Sequence, residues 1–230
     1  MLKQKKLSIF SLKASILIIL TFFLIILYFY FSSSFQINNA SKAYITNQGD
    51  NTVSIINLET LKTLKTLEVG VAPLGITILQ KKKLVFVGNV GTDDISVIDG
   101  VNDKLIKTIK LGTAPLSLSS NAEETEVYVT DWFQNNVLTI SADEMKVTGK
   151  LKVGVTPSGI AYNKKYKYQV ITNRDANTLE IYNEDDDLVK KIETGNHPFG
   201  VYSKDDFAYV ANVYDDSVSI INLVDWSKYE

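Results

Sequence analysis

The sequence predicts an all-β fold, a β-propeller of about five four-stranded blades, and three observations predict it. A four-residue phrase recurs at spacings of 42, 42, 42 and 39 residues, starting at Tyr44, Phe86, Tyr128, Val170 and Tyr209. A Gly-x-x-Pro phrase keeps step with it, starting at Gly70, Gly112, Gly154 and Gly195. Short segments rich in Val, Ile and Thr lie between turns of Gly, Asn and Asp. A period near 40 residues that contains four short strands is typical of a propeller blade.

Each repeat divides into an inner, a second, a third and an outer strand, counted outward from the propeller axis. The second strand carries the recurring phrase, as in "YITN", and a polar turn such as "GDN" or "YDD" leads to a third strand such as "TVSIIN". Gly, Asn and Asp tolerate the positive φ that tight hairpins require. The Gly-x-x-Pro phrase makes the corner to the next inner strand, where we expect the glycine to permit the reversal.

The first and last repeats are expected to be incomplete. The first begins at its second strand, and the last ends after its third strand, because "VDWSKYE" is too short for an outer strand. This gives 18 strands in five blades. A propeller ring must close, since an open end leaves strand edges and an apolar blade face bare. The chain is a fragment of a longer propeller, an irregular five-blade body, or a body that another chain completes; we favour the fragment, shaped as an open arc.

The repeats carry a family resemblance. The phrases "YITN", "YVTD", "VITN" and "YVAN", with "NTVSII"-like strands and Gly-x-x-Pro-x-Gly corners, resemble the YVTN family of β-propeller repeats. This resemblance covers Ala43 to about Leu223. It implies a surface-layer-like or secreted protein whose ring usually closes with about seven blades. It implies no particular activity, because this repeat serves many roles. One departure is Ser117, which stands where the other corners have glycine.

The N-terminal residues are not expected to belong to the repeats. Residues 14–31, "ASILIILTFFLIILYFYF", are uncharged and as a helix would reach about 27 Å, close to the hydrocarbon thickness of a bilayer. The lysines that precede this segment are Lys3, Lys5, Lys6 and Lys13. They favour a cytoplasmic N-terminus, with the repeats in the periplasm or at the cell surface. A cleaved signal peptide is the alternative.

We therefore divide the chain into four parts: a basic cytoplasmic tail (1–13), a transmembrane signal anchor (14–31), a linker (32–42) and the propeller domain (43–230).

The composition excludes several kinds of chemistry. The chain has no cysteine, which excludes disulfides, thiolate metal sites and a cysteine nucleophile, and its one histidine, His197, excludes multi-histidine sites. Beyond the four N-terminal lysines, 20 basic and 26 acidic residues remain. An acidic body does not favour nucleic acid, whose phosphates bind clustered Lys and Arg. We predict no cofactor, no metal site and no catalytic residue.

One rim of the propeller is predicted to carry a binding site. The turn between the second and third strands of a blade lies on the same rim as the connection to the next blade; we call this the upper rim and the opposite one the lower rim. Its most distinctive residues are Trp132, Phe133, Arg174, His197 and Tyr214. Large aromatic residues and Arg are enriched at binding hot spots. The alternative is that Trp132 and Phe133 fold over a blade edge and that His197 is a solvated loop residue.

These observations predict a membrane-anchored, extracytoplasmic, non-catalytic scaffold at the cell envelope that binds an envelope protein or a glycan. Some propellers with similar repeats are catalytic. Those that resemble the streptogramin lyases use a histidine and a divalent metal, and others accompany d1-type haem or a quinone-bearing subunit. That resemblance implies the alternative function, a metal-dependent lyase-like or redox-partner propeller that uses His197.

Overall fold

Five antiparallel sheets with 19 strands make up residues 41–229, the part of the chain that the computed structural model describes. Blade 1 consists of β1 (Lys42–Asn47), β2 (Thr52–Asn57) and β3 (Thr63–Glu68). Blade 2 consists of β4 (Pro73–Leu79), β5 (Leu84–Asn89), β6 (Asp94–Asp99) and β7 (Lys104–Lys110). Blade 3 consists of β8 (Pro115–Ser120), β9 (Glu126–Asp131), β10 (Asn136–Ser141) and β11 (Lys146–Lys152). Blade 4 consists of β12 (Pro157–Asn163), β13 (Tyr168–Asn173), β14 (Thr178–Tyr182) and β15 (Leu188–Glu193). Blade 5 consists of β16 (Pro198–Lys204), β17 (Phe207–Asn212), β18 (Ser217–Asn222), β19 (Lys228–Tyr229).

The strands of each blade pair in chain order, from the inner strand to the outer one. This confirms the all-β fold and the division into about five four-stranded sheets, an architecture consistent with a propeller. The predicted helix at 14–31 and the basic tail lie outside the described residues. Within residues 41–229 there is no helix of the length and apolar character needed to cross a membrane.

Apolar side chains fill the spaces between successive blades. We call the side of a blade that is turned toward the next blade its forward face. Third-strand residues on the forward faces of blades 1 to 4 are fully buried: Val53, Ile95, Val137 and Leu179. Four hydrophobic clusters join blade 1 to 2, 2 to 3, 3 to 4 and 4 to 5. Each blade therefore buries its apolar residues only by lying beside its neighbours.

The inner strands approach one another closely. A Cβ added to Gly75 would lie 2.6 Å from the carbonyl oxygen of Leu116 on the next inner strand. Ser117 takes the equivalent place in blade 3, and its Oγ accepts a hydrogen bond from the N–H of Ile160 in blade 4. Gly200 has no atom within 4 Å of such a Cβ, because blade 5 has no following blade among the described residues.

Blade 5 corrects the predicted strand count, because it is complete. Its outer strand β19 is only two residues long and pairs with β18 through Ile220 with Tyr229 and Ile221 with Lys228. The turn before it closes through hydrogen bonds between Asn222 and residues 226 and 227, while Trp226 packs against the core between blades 4 and 5. A strand this short is stabilised by its turn and not by its length. Blade 1 has three described strands, as predicted.

Three of the four corner glycines act differently from the prediction, whereas Gly112 itself has a φ of 71°, as predicted for a glycine that permits the reversal. Positive φ is found at the residue before the proline, at Ala72, Thr156 and His197, with φ of 52°, 56° and 53°. A Cβ on Gly70 would lie 2.6 Å from Cγ of Asn89. At Gly70, Gly154 and Gly195 the glycine therefore allows the strand-ending Asn to pack beneath the corner, and the reversal is made two residues later.

Candidate functional site

Hydrogen bonds within and between blades fix the upper rim. The Asn that ends the second strand donates from Nδ2 into its own blade; Asn212, for example, donates to Ser217 Oγ at 3.0 Å and to Ser219 Oγ at 2.8 Å. The last residue of the following turn reaches the next blade. Its Oδ1 accepts the N–H of the next corner at 2.9 Å in three blades, through the pairs Asn51–Ala72, Asn135–Thr156 and Asn177–His197. These recurring residues form the frame on which the distinctive side chains lie.

Four of the five predicted site residues form one continuous cluster on this rim. The Arg174 guanidinium lies between two rings, with Cζ 5.6 Å from the Trp132 centroid and 5.7 Å from that of Tyr214. Arg174 Nη2 also donates to the Tyr214 hydroxyl at 3.4 Å. The His197 ring stacks on Tyr214 with centroids 4.1 Å apart. Residues from the turns of three blades and from one corner are thus in contact.

Two members of the cluster were not predicted. Asp175 accepts from Arg174 Nη1 at 2.7 Å, and its Oδ1 lies 3.9 Å from His197 Nε2. Phe199 lies at the start of β16, and its ring centroid is 6.1 Å from that of Trp132. Because Trp132 belongs to blade 3 and Phe199 to blade 5, this contact passes over blade 4 near the inner strands. We call these six residues the rim cluster: Trp132, Arg174, Asp175, His197, Phe199 and Tyr214.

Phe133 does not join the rim cluster. Its side chain is 74% exposed, and within residues 41–229 no ring or cation–π contact links it to the others. Its backbone N–H donates to Asp131 Oδ1 at 3.2 Å, which holds the backbone of the turn. Phe133 remains an exposed aromatic residue beside the cluster.

The electrostatics of the cluster are nearly balanced. The Asp175 carboxylate faces the Arg174 guanidinium, and the Asp215 carboxylate lies at the edge of the site. Hydrogen bonds from the backbone N–H and the side-chain amide of Asn196 lower the pKa of Asp215. His197 Nδ1 is buried without a hydrogen-bond partner, so only the Nε2 side of the ring faces a polar group. In the described part of the chain, no group of three or more His, Asp or Glu side chains is arranged to bind a metal ion.

The two rims differ in charge. Among residues 41–229 the upper rim consists of nine four-residue loops, which contain no lysine, one arginine and five aspartates. Exposed apolar side chains lie along it: Val71, Phe133, Val155, Val213 and Tyr214. The lower-rim loops carry seven lysines, several of them paired with acids of a neighbouring blade, as in Lys165–Asp206 and Lys82–Asp143. The lower rim is therefore a solvated charged surface, whereas the upper rim has few long, flexible charged side chains.

Five sheets of one repeat, packed side by side with their distinctive residues on one rim, define a β-propeller repeat protein. The chain belongs to the YNCE-like beta-propeller family, whose sequence profile matches residues 32–209. No curated protein matches the chain significantly.

Solved propellers resemble the chain in fold. Virginiamycin B lyase from Staphylococcus aureus, as its catalytically inactive H270A variant with quinupristin, has a TM-score of 0.72 at 14% identity, covering 84% of this chain and 66% of that one. A functionally unknown protein from Desulfotomaculum acetoxidans has a TM-score of 0.72 at 16% identity, covering 81% of this chain and 63% of that one. The dihydro-heme d1 dehydrogenase NirN has a TM-score of 0.67 at 12% identity, covering 81% of this chain and 42% of that one. The chain spans less than two thirds of each of these proteins, and the likeness shows the fold alone.

Proposed function

We propose that the chain is a non-catalytic binding module of the cell envelope that captures a protein partner on its upper rim. The observation that carries this proposal is the rim cluster, set in a rim without lysine. Trp, Tyr, Phe and Arg are enriched in protein interfaces, and Lys is depleted from them. The exposed apolar residues beside the cluster extend this composition along the rim.

The cluster is organised before any partner arrives. Arg174 is placed between two aromatic rings and bound by Asp175, so its side chain has little freedom left to lose. Immobilising such a side chain on association otherwise costs about 0.5–1.5 kcal/mol. Tyr214 is 65% exposed, and its ring is held in place by the stacked His197 ring and by the Arg174 guanidinium.

The charge of the rim favours a protein over an anionic surface. Lipid headgroups and nucleic acid phosphates attract clustered Lys and Arg, which the nine upper-rim loops do not provide. A glycan ligand would also use exposed aromatic rings, and the glycan array described below distinguishes it from a protein partner.

We further propose that residues 14–31 anchor the module in a membrane with the propeller outside the cytoplasm. The 18 uncharged residues and the four preceding lysines support this arrangement. Carbonate-resistant membrane association, together with proteolysis of the repeats from the outer side of intact cells, is the expected result. Release by carbonate, or protection of the repeats, would contradict it.

The double variant Trp132→Ala/Arg174→Ala is expected to weaken partner capture at least about tenfold, because truncating a hot-spot residue typically costs about 2 kcal/mol or more. The full chain, immobilised in mild detergent, would be cross-linked to a solubilised envelope fraction and probed on a glycan array. The matched control is Leu61→Ala/Val101→Ala, which truncates two exposed apolar residues of the lower rim. Equal capture by both variants would overturn the upper-rim proposal, and a loss confined to the glycan array would replace the protein partner by a glycan.

The alternative function is a metal-dependent lyase-like or redox-partner propeller. Its supporting observation is the position of His197, whose Nε2 faces Asp175 on the rim. The imidazole and this carboxylate are the donors that the rim cluster could offer a divalent ion. Metal analysis and absorbance spectra of the purified chain test it. Stoichiometric metal or haem that His197→Ala removes would favour this function over the binding module.

A further inference from the structure

Successive blades meet on the lower rim through a recurring pair of positions. One is the first residue of a second strand, and the other is the positive-φ residue that ends the turn before the outer strand of the next blade. Three of these pairs are chemically matched: Lys42–Asp103, Leu84–Met145 and Tyr168–Trp226. The first is an ion pair at 2.8 Å, the second packs on the apolar cluster between blades 2 and 3, and the third is a ring stack with centroids 6.4 Å apart. Side chains that suit each other therefore join the blades here.

The pair between blades 3 and 4 consists of two carboxylates, Glu126 and Asp186. Between blades 1 and 2, the Lys42 ammonium group donates to both oxygens of Asp103 at 2.8 Å and to the carbonyl oxygen of Gly100 at 3.1 Å. Glu126 stands in the place of Lys42, so a positive charge is replaced there by a negative one. Within the described residues, neither Glu126 nor Asp186 forms an ion pair with a lysine or an arginine.

Two neighbouring side chains leave the charge of this pair in place. The Tyr128 hydroxyl donates to Glu126 Oε2 at 2.9 Å, which satisfies one oxygen without adding a positive charge. Burial raises the pKa of this hydroxyl, and the carboxylates of Glu126 and Asp186 raise it further, so both lie close to it. Lys167 pairs with Glu184 at 2.9 Å and not with Glu126 or Asp186. Like charges side by side at this junction therefore oppose the packing of blade 3 on blade 4.

A buried glutamine lies beside the same pair. Gln169 is 3% exposed, and buried apolar residues stand in its place in three other blades: Val85, Val127 and Ala208. Its Nε2 donates to Asp186 Oδ1 at 3.1 Å, and an ionised carboxylate only accepts, so the amide nitrogen faces Asp186. Its Oε1 is buried and receives no hydrogen bond within residues 41–229. An unpaired buried carbonyl is unfavourable, and a cation bound there would relieve both this oxygen and the two carboxylates.

We propose that this junction binds a calcium ion through Glu126, Asp186 and Oε1 of Gln169. Ca²⁺ takes about six to eight oxygen ligands, which include carboxylates, amide carbonyls and water. It tolerates the irregular geometry of ligands drawn from two blades, whereas Mg²⁺ demands an octahedron. With two carboxylates we expect a Kd on the order of 0.1–1 mM, as in extracellular calcium modules. The prediction of no metal site is revised by this proposal, because ligands from separate blades form no local sequence motif.

Calcium titration of three variants locates the site. Isothermal titration calorimetry of the full chain in mild detergent with CaCl₂ is expected to show one site. Glu126→Gln and Asp186→Asn, which keep the side-chain shape and remove one charge, are each expected to weaken binding at least about tenfold. The matched control Asp143→Asn removes an exposed carboxylate from the equivalent turn of blade 3 and is expected to leave the Kd unchanged.

Substitution of Glu126 by lysine tests the electrostatic cause. Glu126→Lys copies the Lys42–Asp103 pair of blades 1 and 2 and supplies its own positive charge. Wild type in about 10 mM calcium is expected to melt about 3–10 °C higher than wild type in EGTA. Glu126→Lys in EGTA is expected to melt above wild type in EGTA and to show no response to calcium. Glu126→Gln is also expected to melt above wild type in EGTA, because it removes one of two like charges.

The absence of calcium binding up to about 10 mM would overturn the proposal, and so would binding that Glu126→Gln and Asp186→Asn leave intact. An equal rise in melting temperature with MgCl₂, or an equal calcium response in Glu126→Lys, would show a general salt effect and contradict a calcium site. None of these variants touches the rim cluster, so failure here leaves the proposed upper-rim function standing.

Discussion

Leu179→Ala is expected to lower the free energy of unfolding by about 3 kcal/mol. Leu179 is fully buried on the forward face of blade 4, in the cluster that contains Ala208 and Val210 of blade 5. Val218 has the same place in blade 5 but is 49% exposed, so Val218→Ala is expected to cost less than about 0.5 kcal/mol. Denaturant unfolding of the full chain in mild detergent measures both changes.

The same valine-to-alanine change at a buried position separates the effect of burial from the effect of side-chain size. Val137→Ala makes the same change as the control at a fully buried position of blade 3 and is expected to cost about 2 kcal/mol. If Val137→Ala and Val218→Ala had equal effects, Val218 would be as well covered as Val137, and its exposed position on blade 5 would be wrong.

Glu180→Ala is expected to cost about 3 kcal/mol at neutral pH, because it leaves a buried donor set unpaired. The Glu180 carboxylate is buried in β14, where it accepts from Gly154 N–H at 2.9 Å and from the Tyr182 hydroxyl at 2.8 Å and pairs with Lys191 Nζ at 3.0 Å. Glu193→Ala, an exposed glutamate of the neighbouring outer strand, is the matched control and is expected to change stability by less than about 0.5 kcal/mol.

The effect of Glu180 depends on pH in a defined direction. Burial raises the pKa of Glu180, but hydrogen bonds from Lys191, Tyr182 and Gly154 outweigh it, so the pKa lies below its ordinary value. A folded-state pKa below the unfolded one contributes stability that is complete above about pH 4.5 and is lost as pH falls through the folded pKa. The difference between wild type and Glu180→Ala should therefore shrink as the pH falls below about 4.5. A difference that grows with acidification would contradict this account.

The repeats made most of the fold predictable from the sequence. In each unit, buried or half-buried strands alternate with turns that contain Asn or Asp. The last residues of these turns have the positive φ expected of them, as at Asn51 and Asp216. The short strand β19 could not be predicted by length, because a turn and the packing of Trp226 stabilise it. The role of three corner glycines depends on their contacts with Asn89, Asn173 and Asn212. These asparagines lie 17 to 19 residues away in sequence, so the contacts are visible only once the strands are paired.

The candidate site was predictable in part for the same reason. Comparison of the repeats singled out Trp132, Arg174 and Tyr214, because these positions differ between blades. Phe199 differs from Leu74, Leu116 and Ser158, but it lies in an inner strand and not in a rim loop, so the pattern of the loops does not indicate it. Its contact with Trp132 follows from the curvature of three successive blades, which no local pattern encodes.

The propeller is stabilised by blades whose inner strands lie side by side, and one pair of glycines tests this packing most directly. A Cβ on Gly159 would overlap the carbonyl oxygen of Phe199 on the next inner strand and lie 2.9 Å from Thr172 Oγ1, whereas a Cβ on Gly200 would meet nothing within 4 Å. Unfolding free energies of Gly159→Ala and Gly200→Ala compare the same methyl group at the same repeat position. We predict a loss of about 3 kcal/mol for Gly159→Ala and a change within about 0.5 kcal/mol for Gly200→Ala. Equal changes in the two variants would contradict the packing of blade 4 against blade 5.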